Sequence, residues 1–247
     1  MKKKIIALVL CGVMALSIPV YAKGGSVSLS SDELQVPKSE KKDKEAKKEK
    51  KKKNNDITVI QSGWSVLNSD YGDDRYVTYG AKLSNAGSDS YGYVTLKIAV
   101  KDANGKIIKS DDYTFSSIAA GDIVFAADKI SVGAYDPASV DFSVSCSDSD
   151  ISNAFANDSS TSDFTLSNLS EIPDGSWTTI TGEITSDATD DYSAVTITVL
   201  LEQDDSIVGG FSGYADNVNS GETSVFEIND YNLPDHNNVE ISAHASY

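Results

Sequence analysis

Histidine, cysteine and proline are scarce in this chain, and their scarcity limits the chemistry it can perform. The 247 residues include two His, two Cys and five Pro. Cys11 lies in the N-terminal apolar run, so Cys146 is the one cysteine of the remainder and we expect no intrachain disulfide. His236 lies in a turn-like composition and His244 has outward parity on a strand, so we predict both at the surface. No Ser-His-Asp or zinc-ligand spacing is present, and the sequence predicts a non-catalytic protein without an organic cofactor.

Basic residues are absent from residue 147 onward. Residues 54–146 carry 12 acidic and 7 basic residues, whereas residues 147–247 carry 19 acidic residues and no Lys or Arg. Phosphate binding requires clustered cations, so we expect no nucleic-acid partner for this part of the chain. No second long apolar run follows the first one, and we expect no later membrane crossing.

The first 22 residues have the pattern of a secretory signal peptide. Lys2 to Lys4 form a positively charged n-region, and Ile5 to Leu16 are largely apolar. Small residues suited to signal-peptidase cleavage end at Ala22. An uncleaved anchor over Ile5 to Ala22 is the alternative, and a lipoprotein attached through Cys11 is a poorer match. The sequence therefore predicts an extracytoplasmic protein, either secreted or associated with the cell surface.

Residues 23–55 are rich in lysine and poor in large apolar side chains. The stretch from Lys38 to Lys53 holds ten Lys and four acidic residues. Such a segment buries too little apolar area to offset chain entropy, so we predict a disordered linker. Its charge suits contact with an anionic envelope surface, and the alternative is a soluble spacer.

The alternation of apolar and polar residues predicts short β-strands from Asp56 onward. Val94, Leu96, Ile98 and Val100 alternate with polar or small residues, and Asn104-Gly105 then favours a hairpin. The same series recurs about 101 residues later, with 83–104 aligned on 184–205 without a gap. Shared parity, turns and element order indicate an internal duplication.

Each copy has six or seven short strands at spacings typical of an antiparallel sandwich. We therefore predict an all-β chain with two tandem immunoglobulin-like β-sandwiches, residues 56–147 and 148–247, after the signal peptide (1–22) and linker (23–55). The alignment places Cys146 at an inward position, which favours a buried, inert thiol.

The strand from Val77 to Ala86, the Asn104-Gly105-Lys106-Ile107-Ile108 restart and the Ala120-Gly121 turn resemble the FxLYD-type extracellular domain family. The resemblance covers each copy through its turn chemistry. It implies an exported, non-enzymatic domain and supplies no catalytic residues.

Acidic loops provide one set of candidate site residues. Asp148 and Asp150 lie between the copies, and Asp190 and Asp191 lie in a loop of the second copy. Calcium takes six to eight oxygen ligands, often from adjacent loops, so these four residues are candidate ligands. The alternative is a charged, solubilising surface.

Aromatic residues at matching places in the two copies provide another set. Tyr76 corresponds to Trp177, and Tyr91 corresponds to Tyr192, all with outward parity. Exposed aromatic rings can stack on sugars or anchor a protein partner, whereas packing across strands is the alternative.

These features favour an exported interaction or adhesion module at the bacterial cell envelope, with a wall polymer, glycan or protein as partner. A structural spacer and a calcium-binding extracellular module are the alternatives.

Overall fold

The computed structural model describes residues 56–69, 72–146 and 159–245, and confirms an all-β chain. Apart from one 3₁₀ turn, Thr161–Asp163, all regular structure in these residues is β-strand. The strands are β1 Ile57–Asn68, β2 Arg75–Asn85, β3 Tyr91–Lys101, β4 Ile107–Ile118, β5 Ile123–Gly133, β6 Ser139–Cys146, β7 Phe164–Asp174, β8 Trp177–Ser186, β9 Tyr192–Gln203, β10 Ser206–Val218, β11 Thr223–Tyr231 and β12 Asn238–Ala245. None of the described segments is an apolar helix of membrane-spanning length. The predicted signal peptide and linker lie outside the described residues.

The strands form four three-stranded antiparallel sheets, two in each half of the described chain. In the N-terminal half (residues 56–146), sheet 1 has the order β1-β2-β5 and sheet 2 the order β4-β3-β6. In the C-terminal half (residues 159–245), sheet 3 contains β7, β8 and β11 with β8 central, and sheet 4 has the order β10-β9-β12. Each half thus uses its first, second and fifth strands for one sheet and its third, fourth and sixth for the other.

The core of the N-terminal half follows the alternation read from the sequence. Val94, Leu96, Ile98 and Val100 are each at most 1% exposed and join one apolar cluster with residues of sheet 1. A period of two places these side chains on one face of β3, which explains why they are buried together. Cys146 at the end of β6 is half-buried and packs against the same cluster.

The two halves share the geometry of one turn in detail. Gly121 and Gly221 both have positive φ, 81° and 73°, in the turns that precede β5 and β11. Their backbone amides donate to the carbonyl groups of Asn85 and Ser186, at 3.0 and 2.8 Å. Glycine adopts this backbone region without steric cost, which explains its use at both places. The two turns therefore have the same backbone geometry and the same hydrogen-bond pattern.

The outer face of sheet 1 packs directly on the outer face of sheet 4. Phe125 and Ala127 of β5 form a small buried cluster with Leu200 of β9 and Ile207 of β10. Thr78 of β2 is fully buried there, and its hydroxyl donates to the carbonyl of Gly210 at 3.1 Å. The strand β9 is therefore buried on both faces, between its own core and the neighbouring half.

Close approach of these two sheets depends on glycine. A Cβ on Gly80 would lie 2.8 Å from Leu200 Cδ2 and 2.9 Å from the carbonyl oxygen of Gly209. A Cβ on Gly63 would overlap the backbone carbonyl of Ile207. Both positions require the absence of a side chain, because backbone of one half occupies the space beside backbone of the other.

Candidate functional site

Two clefts open along the line where the halves meet, and one of them, here the aromatic cleft, is lined by two tyrosine side chains. This aromatic cleft has a volume of about 330 Å³. The residues that line it are Leu67, Ser69, Tyr76 and Lys129 from the N-terminal half and Asp230, Tyr231 and Asn232 from the C-terminal half. Tyr76 is on the outward face of β2, as its parity predicts, and is half-buried at the margin of the interface.

Trp177 extends the aromatic surface beside this cleft. It is paired in register with Tyr231 across β8 and β11, and the two rings lie 5.3 Å apart at 60°. Trp177 remains 51% exposed, which is a large apolar surface to leave in water. Tyr231 thus connects two of the predicted aromatic residues, because it contacts Trp177 and lines the same cleft as Tyr76.

A partly buried ion pair provides the polar part of the aromatic cleft. Lys129 Nζ lies 2.7 Å from Asp230 Oδ2 and also donates to the backbone carbonyl of Tyr231. Burial raises the pKa of Asp230, and the hydrogen bond and positive charge of Lys129 act in the opposite direction. The Asn232 amide donates to the Asn68 carbonyl at 2.9 Å, which fixes the other end of the cleft. The walls and polar groups of the cleft are therefore held in place by contacts between the halves.

The second cleft, here the polar cleft, has a volume of about 410 Å³ between sheets 2 and 4. His244 lies in its wall and is 8% exposed, with its ring 5.3 Å from the ring of Phe115. The prediction that His244 is a surface residue is therefore wrong. Its outward parity is correct, but the N-terminal half covers the outer face of β12.

His244 is electrically neutral at neutral pH in this position. Burial lowers its pKa from 6.5 to about 4, and no other cause contributes appreciably. Its Nδ1 is buried and has no hydrogen-bond partner among the described residues. Burial of this imidazole without a hydrogen bond to Nδ1 costs desolvation free energy. The ring also lacks the orienting carboxylate that a general-base histidine requires.

Tyr113 and Asp128 are the other titrating groups with shifted pKa values in the polar cleft. Burial raises the pKa of Tyr113, while hydrogen bonds to Ser212 and Thr198 oppose the shift. Burial also raises the pKa of Asp128, against the hydrogen bond from the Lys129 backbone amide. Both shifts arise mainly from desolvation where the halves come together.

The second predicted aromatic pair, Tyr91 and Tyr192, lies away from the aromatic cleft. Tyr91 is half-buried against the core of its half, and its hydroxyl donates to Asp56 Oδ2 at 3.3 Å. Tyr192 is 6% exposed and packs edge-on against Phe164 at 5.5 Å, so the outward position predicted from its parity is wrong. The β9–β10 ladder omits the pair Ser193–Asn217 without a shift of register, and Asn217 has a φ of 53°, so the strand pairing is irregular beside Tyr192.

The predicted calcium ligands are not brought together where the structure describes them. Asp190 and Asp191 are exposed, and Asp191 Oδ1 accepts from the Ser220 backbone amide at 2.9 Å. Within residues 56–69, 72–146 and 159–245, no three acidic, His or Cys side chains converge to hold a metal ion. Asp148 and Asp150 lie outside the described residues, so the calcium hypothesis stays a prediction.

His236 is tied into the C-terminal half by two contacts. Its Nε2 lies 2.9 Å from Glu171 Oε1 and its Nδ1 lies 2.8 Å from the carbonyl of Pro234. The side chain is 13% exposed, so the predicted surface position is only partly correct. These contacts fix the loop between β11 and β12 against β7.

Of the residues that line the aromatic cleft, the sequence singled out only Tyr76, and Lys129, Asp230 and Tyr231 are among those it missed. Tyr231 faces Trp177 across two strands, and this pairing is not visible in the order of residues. One signal was available. Residues 147–247 have no basic residue, so a buried acid there must take its cation from the other half, as Asp230 does from Lys129.

Comparisons with known proteins assign no family to this chain. No protein-family model matches it, and no curated protein matches it. Among solved structures, it is similar to a red sea bream transglutaminase with 8% identity and a TM-score of 0.19. That similarity covers 72% of this chain and 28% of the transglutaminase, so the chain spans less than a third of that protein, and the score is too low to carry an argument about fold or function.

Proposed function

We propose that this protein is an exported, non-catalytic interaction module of the bacterial cell envelope that binds its ligand at the aromatic cleft. One observation carries the proposal: Tyr76 and Tyr231, from different halves, share a 330 Å³ cleft, and Trp177, which contacts Tyr231, is left half exposed. Exposed aromatic clusters of this kind are characteristic of binding surfaces, because aromatic rings contribute large contact areas with few rotatable bonds.

The proposal includes a finer description of the fold. We infer two tandem immunoglobulin-like sandwiches that are similar to FxLYD-type extracellular domains. The repeated strand order and the equivalent turns at Gly121 and Gly221 support this inference. The proposed boundary between the two copies, at residues 147 and 148, lies outside the described residues.

Export and the placement of the module are inferred from the N-terminal sequence. A signal peptide over residues 1–22 delivers the chain across the membrane, and the Lys-rich residues 23–55 contact the anionic envelope surface. The acidic remainder of the chain is repelled by the same surface. This opposition of charge favours an arrangement in which the β-rich part is held away from the envelope and remains accessible to a ligand.

The character of the buried titrating groups supports binding rather than catalysis. The only histidine in the polar cleft, His244, is neutral and its Nδ1 is sealed from solvent. The nearby Ser212 hydroxyl donates to the carbonyl of Ala127 at 2.9 Å, which occupies its proton. An activated serine requires a hydrogen-bonded base instead.

A structural spacer is the second candidate, and the packing of the halves favours it. Sheets 1 and 4 meet through glycine-mediated backbone contacts and buried hydrogen bonds, such as that between Thr78 and Gly210. Rigid contact between successive domains suits a chain that sets a fixed distance. A spacer requires no ligand at Trp177, and this difference separates the two candidates.

Retention of the purified full chain on isolated cell envelopes tests the proposal. We expect the chain to be retained, and we expect Trp177→Ser to reduce retention because it removes the exposed ring. Val225→Ser is the matched control, since Val225 is 78% exposed on β11 of the same sheet and away from the described cleft lining. Equal retention of both variants and the unsubstituted chain would favour the spacer.

Cell fractionation tests the localisation separately. We expect the chain in the extracytoplasmic fraction, either released or associated with the envelope. Recovery in the cytoplasm, with the N-terminal segment intact, would contradict the proposed export.

A further inference from the structure

We infer that the occupant of the aromatic cleft is an uncharged sugar segment of a glycan. This inference rests on the proposed function and names the ligand class of the same site. It follows from the combination of aromatic walls, a neutralised ion pair and the surrounding negative charge.

The walls of the aromatic cleft match the apolar faces of a sugar ring. Tyr76 and Leu67 come from the N-terminal half, and Tyr231 comes from the other half with Trp177 beside it. A pyranose ring presents C–H groups on its faces, which pack well on aromatic rings and are poorly hydrated compared with its hydroxyl groups. Separate aromatic side chains at one cleft therefore suit a ring-shaped, amphipathic ligand.

The polar groups of the cleft match the hydroxyl groups at the edge of such a ring. Lys129 uses two of its three N–H donors on Asp230 and the Tyr231 carbonyl. Asp230 accepts from Lys129 at 2.7 Å and from the Tyr231 backbone amide at 2.7 Å, and a carboxylate has about four acceptor positions. The pair therefore offers both a hydrogen-bond donor and hydrogen-bond acceptors. A sugar hydroxyl group, which both donates and accepts, can bond to either residue.

Charge selects a neutral ligand over an ionic one. Within the cleft, the cation of Lys129 is paired with the carboxylate of Asp230, so the lining carries no net charge. Outside the cleft, residues 54–247 carry 31 acidic and 7 basic residues, which repel an anionic polymer. An acidic wall polymer or a polynucleotide is therefore disfavoured by the field, and the paired charges of the lining give a cation no net attraction inside the cleft.

The dimensions of the cleft favour a short segment. Its volume of about 330 Å³ lies near the lower limit of small-ligand pockets, about 300–1,000 Å³. One or two rings of an oligosaccharide match a cleft of this size.

Titration of the full chain with defined oligosaccharides tests the inference. The probes are neutral tetrasaccharides of glucose, mannose and N-acetylglucosamine, with a tetrasaccharide of galacturonic acid as the anionic probe. We expect saturable binding of at least one neutral probe by calorimetry and none of the anionic probe. Trp177→Ser and Tyr76→Ser should each weaken that binding about tenfold, a loss typical of one aromatic contact.

The controls separate the loss of a contact from the loss of the fold. Val225→Ser and Tyr214→Ser remove side chains that are 78% and 60% exposed outside the aromatic cleft, and both should leave affinity unchanged. Tyr76→Phe keeps the ring of a half-buried residue and should retain binding. Thermal melting should show a single cooperative transition for every variant, above the temperature of the titration.

Each remaining outcome counts against one of the two proposals. Retention on envelopes that depends on Trp177, without binding of any neutral probe, would overturn the sugar inference and leave the interaction module standing. Loss of retention after protease treatment of the envelopes would identify a protein ligand and would also overturn the inference. Neutral binding unaffected by Trp177→Ser and Tyr76→Ser would place the ligand elsewhere, and absence of all envelope retention would contradict the proposed function itself.

Discussion

Acidification should destabilise the protein through His244, and the size of the effect can be worked out from the structure. His244 is 8% exposed, and burial lowers its pKa from 6.5 to about 4. Between these two values the unfolded chain binds a proton at this residue and the folded chain does not. Stability therefore falls as pH decreases from about 7 towards 4 and changes little at this residue below that range.

The magnitude follows from the width of the interval. One pKa unit corresponds to about 1.4 kcal/mol, so a shift from 6.5 to about 4 gives about 3 kcal/mol of unfolding free energy lost by pH 4. Asp128 and Asp230 change the stability in the opposite direction, because their pKa values are raised in the folded state and protonation therefore favours folding as pH falls. The contribution of His244 must therefore be measured as a difference.

Urea denaturation at pH 7, 5 and 4 provides that difference when the chain is compared with the variant His244→Phe. The substituted ring still packs beside Phe115 but cannot take a proton, and the carboxylates contribute equally to both proteins. We expect the unsubstituted chain to lose about 3 kcal/mol more than the variant between pH 7 and pH 4. Parallel pH dependence of the two proteins would show that His244 is hydrated or hydrogen-bonded in solution, and would refute its burial between the halves.

Three further predictions concern the same interface and the metal hypothesis. Gly63→Ala should destabilise the fold by about 3 kcal/mol in urea denaturation, because its Cβ overlaps the Ile207 carbonyl; an unchanged midpoint would contradict the packing of the halves. Lys82→Met should cost about 3 kcal/mol, since Glu202, 7% exposed, loses its cation. The double variant Lys82→Met/Glu202→Leu should recover most of that loss, and failure to recover it would show that the charge is not buried. Thermal melting with and without a chelator tests the calcium hypothesis, which requires a lower melting temperature when the chelator is present.

The strands and turns of each half could be predicted from local patterns. The alternation in β3 and the Asn104-Gly105 hairpin are properties of neighbouring residues, and both are confirmed. In that hairpin, Asp102 Oδ1 accepts from the backbone amides of Asn104 and Lys106, each at 2.9 Å. Local hydrogen bonds of this kind depend on the identity of a few adjacent residues, which is why sequence reasoning reaches them.

The burial of β9 on both faces could not be predicted from alternation alone. Parity placed Thr196, Thr198 and Leu200 outward, which is correct for the C-terminal half taken by itself. These residues are nevertheless at most 6% exposed, because sheet 1 covers them. A signal was present, since β3 places Lys97 on its outer face and β9 has no charged residue before Glu202. Uncharged outward positions indicate a covered sheet, but they do not say what covers it.

The candidate site depends on that same long-range packing. Tyr76 and Trp177 could be singled out as aromatic residues at matching positions, but matching positions in a repeat do not imply proximity. Tyr231 contacts Trp177 and shares the cleft with Tyr76 because the outer face of sheet 1 meets the C-terminal half, where Asn232 donates to the Asn68 carbonyl. Contacts between residues about 100 or more positions apart have no signature in a local window.

The difference in charge between the two halves is used at their contact, where basic residues of one half pair with acidic residues of the other. Every Lys or Arg of residues 54–247 is in the N-terminal half, and two of them, Lys82 and Lys129, pair with Glu202 and Asp230 across the interface. The contact joins sheet 1 of one half to sheet 4 of the other, and these sheets occupy different places in the strand order of their halves. The aromatic cleft lies where these two non-equivalent faces join. A site built in this way exists once per chain, not once per repeat, so a stoichiometry of two ligands per chain would be incompatible with it.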